Sequence, residues 1–318
     1  MNPSVSFTLD ACATRTELRC RKKEASSGAP GFEVFLEGAP APHFREKIQS
    51  FFERILPYQP FLSGYEFEIH TENTFPHSSG IASSASGMAA LASCLMELEQ
   101  CIYPGLEASF CHTKASFLAR LGSGSAARSI GGKLVHWGAR DSVPGSSDLY
   151  GIPYPFPLHP VFGNFQDTIL LVDRGQKQVS SSAGHGLMQG HPYGKARFEQ
   201  AGARIDALQP IFREGDLDAF IELVESEALT LHAMMMTSSP YYILMKPATL
   251  QIIERIWEFR RSENEPVCFT LDAGANVHVL YPKERLQKVY GFIEEALLPL
   301  CQDRQHITDQ VGEGAKRL

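Results

Sequence analysis

The sequence predicts a protein that mixes strands with helices and divides into two domains, and three observations carry that reading. Some stretches alternate apolar and polar residues, as Tyr65, Phe67 and Ile69 do with Glu66, Glu68 and His70, the pattern of a half-buried strand. Others space apolar residues three and four apart, as Phe44, Ile48, Phe51, Phe52 and Ile55 do, the pattern of a helix with one buried face. Between 141 and 165 the chain is rich in Pro, Gly and Ser with little periodicity, which places a boundary near Asn164 and domains at 1–164 and 165–318.

Taken in order, Ser4 to Ala11 reads as a strand and Thr14 to Lys23 as a partner for it. A turn at 26–31 precedes a short strand, Phe32 to Leu36, and the helix His43 to Leu56 follows. The strand at 65–70 runs into the small-residue loop Phe75 to Gly87, and Ala85 to Leu98 reads as a helix rich in Ala, Leu and Met. A further helix spans Ala108 to Leu121. It enters a second Gly/Ser loop, Gly122 to Ser129, and then a strand from Lys133 to Trp137. Beyond the connection, Thr168 to Val172 is a continuous apolar run suited to a buried strand. Three amphipathic helices follow, on Ala201, Ile205, Leu208 and Phe212, then Leu217 to Leu231, then Ile252 to Trp257. Val267, Phe269 and Leu271 alternate into the turn 272–276, Val277 to Leu280 resume as a strand, and Arg285 to Leu300 reads as a final amphipathic helix.

Composition narrows the function. The chain has 318 residues, 43% hydrophobic and 20% charged, enough to bury a sizeable core. A net charge of −7 argues against a nucleic-acid-binding surface, which is normally basic, while leaving room for a local basic pocket. The seven cysteines form no CxxC pair, which argues against a disulfide framework or a zinc site and for free thiols in a reducing cytoplasm. No apolar run is long enough to span a membrane, no signal peptide is visible, and no membrane partner is expected. Met234 to Met236 read as adaptable core, and His185, His191 and His232 lack metal-ligand spacing.

Three stretches could carry chemistry. A strand, the loop around Gly80 and a helix start make an anion site: the first amides of a helix have no internal partners and its dipole favours negative charge. The alternative is a capped helix after a turn. Arg128 ends the second loop and either grips a carboxylate or phosphate through its fork of donors or pairs on the surface. Asp272 is either a turn-former or a carboxylate held at a strand end over a cleft. The serines between Gln178 and Gly186 are a third phosphate loop or a plain flexible one.

The three stretches together closely resemble the diphosphomevalonate decarboxylase family of the GHMP kinase superfamily. Its first loop has the form FPxxxGLASSAxG, where Ile81 replaces Leu; its second reads GSGSACRS, where Ala127 replaces Cys; its third reads TFDAGPN, where this chain has Thr270 to Asn276. The early strand Asn2 to Leu9 is similar too, and the likeness covers essentially the whole chain. The resemblance implies an α+β fold: a GHMP kinase N-terminal domain with a left-handed βαβ unit and a ferredoxin-like C-terminal domain, with ligands in the cleft between them. It implies ATP- and Mg²⁺-dependent conversion of 5-diphosphomevalonate to isopentenyl diphosphate, through phosphorylation of the C3 hydroxyl. Asp272 would take the hydroxyl proton and Arg128 hold the substrate carboxylate. Ser123, Ser125 and Ser181 would bind substrate, and Pro76, Gly80, Ala82, Ser83 and Ser84 would cradle the ATP phosphates. A homodimer is implied as well.

The family also carries an N-terminal strand of the form NIAVIKYWGK, whose lysine and tyrosine contact substrate or help position Asp272. This chain starts after it, so the expectation is a protein short of that lysine and of a sheet strand, with activity restored by the upstream codons. Two alternatives remain at this stage. One is a decarboxylase or kinase for another mevalonate phosphate; the other is a non-catalytic protein that binds nucleotide or isoprenoid precursors.

Overall fold

This computed structural model describes residues 2–24, 28–76, 82–173, 184, 186–188 and 190–318. In chain order, β1 (Ser4–Phe7), β2 (Thr14–Lys22), β3 (Gly31–Leu36) and the short β4 (Ala39–Pro40) precede α1 (Arg45–Ile55) and β5 (Tyr65–Asn73). Then come α2 (Ser83–Ile102), α3 (Ala108–Gly122), β6 (Leu134–Trp137), β7 (Gly151–Pro153) and β8 (Gln166–Leu170). The rest is α4 (Gly194–Glu214), α5 (Leu217–Met236), α6 (Pro247–Glu263), β9 (Cys268–Thr270), β10 (Val277–Tyr281), α7 (Leu286–Phe292) and β11 (His306–Gln310).

Three sheets organise these elements. One has the order β2-β5-β3-β4, and in it β3 and β5 are adjacent, parallel and joined through α1. That is a βαβ unit. Its inner face meets α1, α2 and α3 over a core that includes Phe51, Phe52, Phe67, Leu91, Leu95 and Leu118. The helices approach closely because α2 buries small residues, Ala85, Ala89 and Ala92, and because α3 ends in glycine. A Cβ on Gly122 would lie 2.6 Å from Met88 Sδ.

A second sheet has the order β11-β8-β10-β9, antiparallel throughout. Read from β8 onward, the chain runs strand, helices, two strands, helix, strand, with the last strand beside the first. That is the ferredoxin-like arrangement, and Ile252, Ile256, Val277, Val279, Val289 and Ile293 fill its core. The third sheet, β1-β6-β7, stands between the other two. Its Val5, Phe7 and Leu134 pack on Leu208, Phe212 and Phe220 of α4 and α5. Each large side chain buried there contributes about 1.5–3 kcal/mol. Polar clamps reinforce the seam: Arg140 and Ser142 both hold Asp206 of α4, and the Asp309 carboxylate accepts from the amides of Asp10, Ala11 and Cys12 at 2.9, 2.8 and 2.7 Å.

Five local features differ from the sequence reading. The strand at 14–22 does not partner the one at 4–7: β2 pairs with β5, and β1 pairs with β6, in separate sheets. The strand expected from Thr168 begins two residues earlier, because buried Asp167 pairs through Oδ2 with His278 Nδ1 and does not interrupt it. The connection 141–165 contains β7 and one helical turn at Pro160–Gly163. The last helix holds α-geometry only over Leu286–Phe292. It loosens to a π-turn at Ile293–Leu297 and a 3₁₀ turn at Leu298–Leu300, where Pro299 has no amide to donate. Strand β11 follows where none was expected. Among the described residues no helix is long and apolar enough to cross a membrane.

Candidate active site

The described residues singled out by sequence lie on three loops, at the start of α2, before β6 and after β9. After β5 ends at Asn73, Phe75 is buried against Ile169 and Leu171, which carries Pro76 to the seam with the second sheet. Pro76 is half-buried. Gly80 lies outside the described residues. Ala82 stands at the start of α2, where its carbonyl accepts from the amides of Ala85 and Ser86 at 2.8 and 3.1 Å. Its methyl side chain has no oxygen to offer as a cap. Among the described residues the first-turn amides of Ser83 and Ser84 have no hydrogen-bond partner, which suits an anion there, and the helix dipole adds to their pull. Ser83 is half-buried and Ser84 exposed, with hydroxyls on the same turn.

Lys47 is a cation that sequence reasoning missed. It lies on α1, and its Nζ donates to Ser84 Oγ, which puts a positive charge beside the helix start. A lone lysine on a helix face ordinarily reads as a solvated charge, so only the fold could reveal it.

The second loop is held from beneath. Ser116 on α3 donates its hydroxyl to the Ala127 carbonyl at 2.8 Å and accepts from the Gly151 amide at 2.8 Å. Gly151 must lack a side chain, because a Cβ there would lie 2.7 Å from the Ala127 carbonyl oxygen. Residues Gly124–Arg128 form a 3₁₀ turn with Ser123 as its N-cap residue and Arg128 at its end. Ser123, Ser125 and Arg128 are all half-buried. Arg128 Nη1 donates to Ser6 Oγ of β1 at 2.7 Å, while its Nε is buried with no partner among the described residues.

Asp272 sits on the turn after β9, open to solvent. Its carbonyl accepts from the Gly274 amide at 2.7 Å and from His232 Nε2 at 3.1 Å, which leaves the carboxylate free of the turn's own bonding. Burial pulls His232 below the ordinary imidazole range, so its ring is neutral near pH 7 and carries the donated proton on Nε2. Burial also draws the Arg128 guanidinium down, and the Asp272 carboxylate opposes that by favouring the cation. Ser181 lies outside the described residues.

The arrangement supplies a carboxylate open to a ligand, a desolvated fork of donors, and a helix start with an adjacent amine. Such a set suits a substrate that bears a carboxylate and phosphates and reacts through a hydroxyl. Among the described residues no three His, Cys, Asp or Glu side chains form a metal cage. The oxygen donors at hand, the Asp272 carboxylate and the Ser83 and Ser84 hydroxyls, are hard ligands of the kind Mg²⁺ takes.

Comparison with known proteins gives the same direction. A family model described as the diphosphomevalonate decarboxylase-like N-terminal domain matches residues 1–148, and one described as the mevalonate 5-diphosphate decarboxylase C-terminal domain matches residues 168–316. The diphosphomevalonate decarboxylase of Aspergillus fumigatus is 30% identical over 315 residues, which cover 94% of this chain and 74% of the relative. That of Ganoderma lucidum is 31% identical over 249 residues, covering 74% of this chain and 58% of the relative. The chain therefore matches little more than half the length of some of these enzymes. Among solved structures, the mevalonate diphosphate decarboxylase of Staphylococcus aureus superposes with a TM-score of 0.82 at 25% identity, covering 99% of this chain and 88% of that one. A second, MDDEF in complex with MVAPP, AMPPCP and magnesium, gives 0.79 at 26% identity, covering 98% and 89%. The sheets and helices described above are thus those of the GHMP kinase α+β fold, and the chain belongs to the diphosphomevalonate decarboxylase family.

Proposed function

We propose that this protein catalyses the ATP-dependent decarboxylation of 5-diphosphomevalonate to isopentenyl diphosphate. What supports the reading most is the buried Arg128, held by neutral Ser6, with the Asp272 carboxylate near enough to favour its charged form. Asp272 holds the C3 hydroxyl and takes its proton as the γ-phosphoryl group of ATP is transferred to that oxygen. Arg128 holds the C1 carboxylate. The C1–C2 bond then breaks, its electron pair forms the C2=C3 double bond, and the C3–O bond to phosphate breaks, releasing CO₂ and phosphate. Arg128 aligns C1–C2 with the departing C3–O bond so that the two cleavages are coupled.

Pro76, Gly80, Ala82, Ser83, Ser84 and Lys47 hold the ATP phosphates. When bound, Mg²⁺ neutralises charge on the β- and γ-oxygens. Ser123, Ser125 and Ser181 bind the substrate's polar ends. We place the domain boundary at 164/165 and read the protein as cytoplasmic and homodimeric. The alternatives that stop at phosphorylation or only bind ligand do not account for a desolvated arginine facing the carboxylate at this site. Incubation with ATP, Mg²⁺ and 5-diphosphomevalonate should release ADP, phosphate and CO₂ in equal amounts; ADP without CO₂ would make the protein a kinase.

A further inference from the structure

The guanidinium of Arg128 has to lie in one plane to align a carboxylate, yet it meets no acidic side chain by hydrogen bond among the described residues. Its recorded hydrogen bond is neutral, from Nη1 to the Ser6 hydroxyl at 2.7 Å. Ser6 is fixed in β1, in register with Val135 of β6. Strand alternation sends Val5 and Phe7 into the aromatic seam, so Ser4, Ser6 and Thr8 share the opposite face. Thr8 anchors that face by donating to the Gly132 carbonyl at 3.0 Å.

On the strength of the function proposed above, we infer that Ser6 is a positioning residue that sets the plane of Arg128 for decarboxylation. The guanidinium is planar, so one hydrogen bond to a rigid strand restricts its rotation about the end of a long, flexible side chain. A hydroxyl suits the task better than a carboxylate. It orients the cation without neutralising it, and so leaves the full charge for the substrate. An aspartate at position 6 would form the ion pair that the substrate carboxylate is meant to form. Replacing Ser6 by alanine leaves a second donor of Arg128 without a partner, beside the buried Nε.

The test compares wild type with S6A, S6T and S6D, with V5A as a control on the opposite face of the same strand, in assays of ADP and CO₂ release from 5-diphosphomevalonate. S6A should lower kcat for CO₂ release about tenfold, the scale of one directional hydrogen bond. Its KM for ATP should not change, and its CO₂-to-ADP ratio should fall below one as phosphorylated intermediate dissociates before it decarboxylates, because phosphorylation does not need Arg128 in plane. S6T keeps the hydroxyl and should restore both quantities; S6D should lose more CO₂ release than S6A. V5A should lower Tm and leave the ratio at one. If S6A does not fold, the nearly isosteric S6C carries the same test. Should wild type release neither product, the proposed function itself fails. If wild type turns over and S6A (or S6C) keeps its kcat and its ratio, Ser6 does not position Arg128.

Discussion

His278 and Asp167 form a buried pair whose charge can be measured in solution. The Asp167 side chain is 3% exposed and that of His278 12%, with Nδ1 and Oδ2 2.8 Å apart. Burial works against the imidazolium, but the adjacent Asp167 charge and hydrogen bond, with help from Asp272 and Asp309, carry His278 up to about 9. The ordinary value is 6.5. A group raised in the folded state stabilises fully below its unfolded value and loses that contribution as pH rises through its folded value. The pair therefore contributes on the order of 3 kcal/mol below pH 6.5 and nothing above about 9, a decline of about 1.4 kcal/mol per pH unit between. His278→Asn keeps a donor toward Asp167 and removes the titration. Urea unfolding of wild type and H278N between pH 6 and 10 should show a stability difference that shrinks steadily as pH rises. Burial pushes the thiols of Cys12 and Cys268 up in the folded state of both proteins, so the slope they add is common to the two. A wild-type advantage that stays constant between pH 6.5 and 9 would refute a charged histidine.

Asp272→Asn should cut ADP release by about 10²–10⁴-fold with substrate binding retained, checked by turnover and calorimetry, since it removes the base and not the pocket. Arg128→Lys keeps the charge but loses the fork, and CO₂ release should fall by about 10²–10³ while Tm stays within a few degrees. Lys47→Ala should raise the KM for ATP more than that for 5-diphosphomevalonate, which separate titrations of the two substrates will show. Asp309→Asn weakens the hold on the amides of residues 10–12 and should cost on the order of 2 kcal/mol in urea unfolding.

The sequence made legible whatever has a local period or a local motif. Phe51, Phe52 and Ile55 announce α1 because its buried face repeats, and the loops around Ser83 and Arg128 stand out because small residues and one cation cluster there. What stayed hidden depends on distant partners. Strand β11, His306–Gln310, contains a single aliphatic residue, Ile307, and it is a strand because β8 pairs with it and the amides of 10–12 bind its Asp309. Asp167 sits within a buried strand because His278 lies 111 residues away in sequence and 2.8 Å away in space. Lys47 and Ser6 likewise look ordinary on their own helix and strand. Their meaning comes from Ser84 and Arg128, which the fold brings to them.

The most direct test of the account is a crystal structure of this chain with 5-diphosphomevalonate and a non-hydrolysable ATP analogue. The C3 hydroxyl should lie within hydrogen-bond distance of the Asp272 carboxylate and the C1 carboxylate on the guanidinium of Arg128. A substrate bound with its carboxylate turned away from Arg128, or with its hydroxyl out of reach of Asp272, would contradict it.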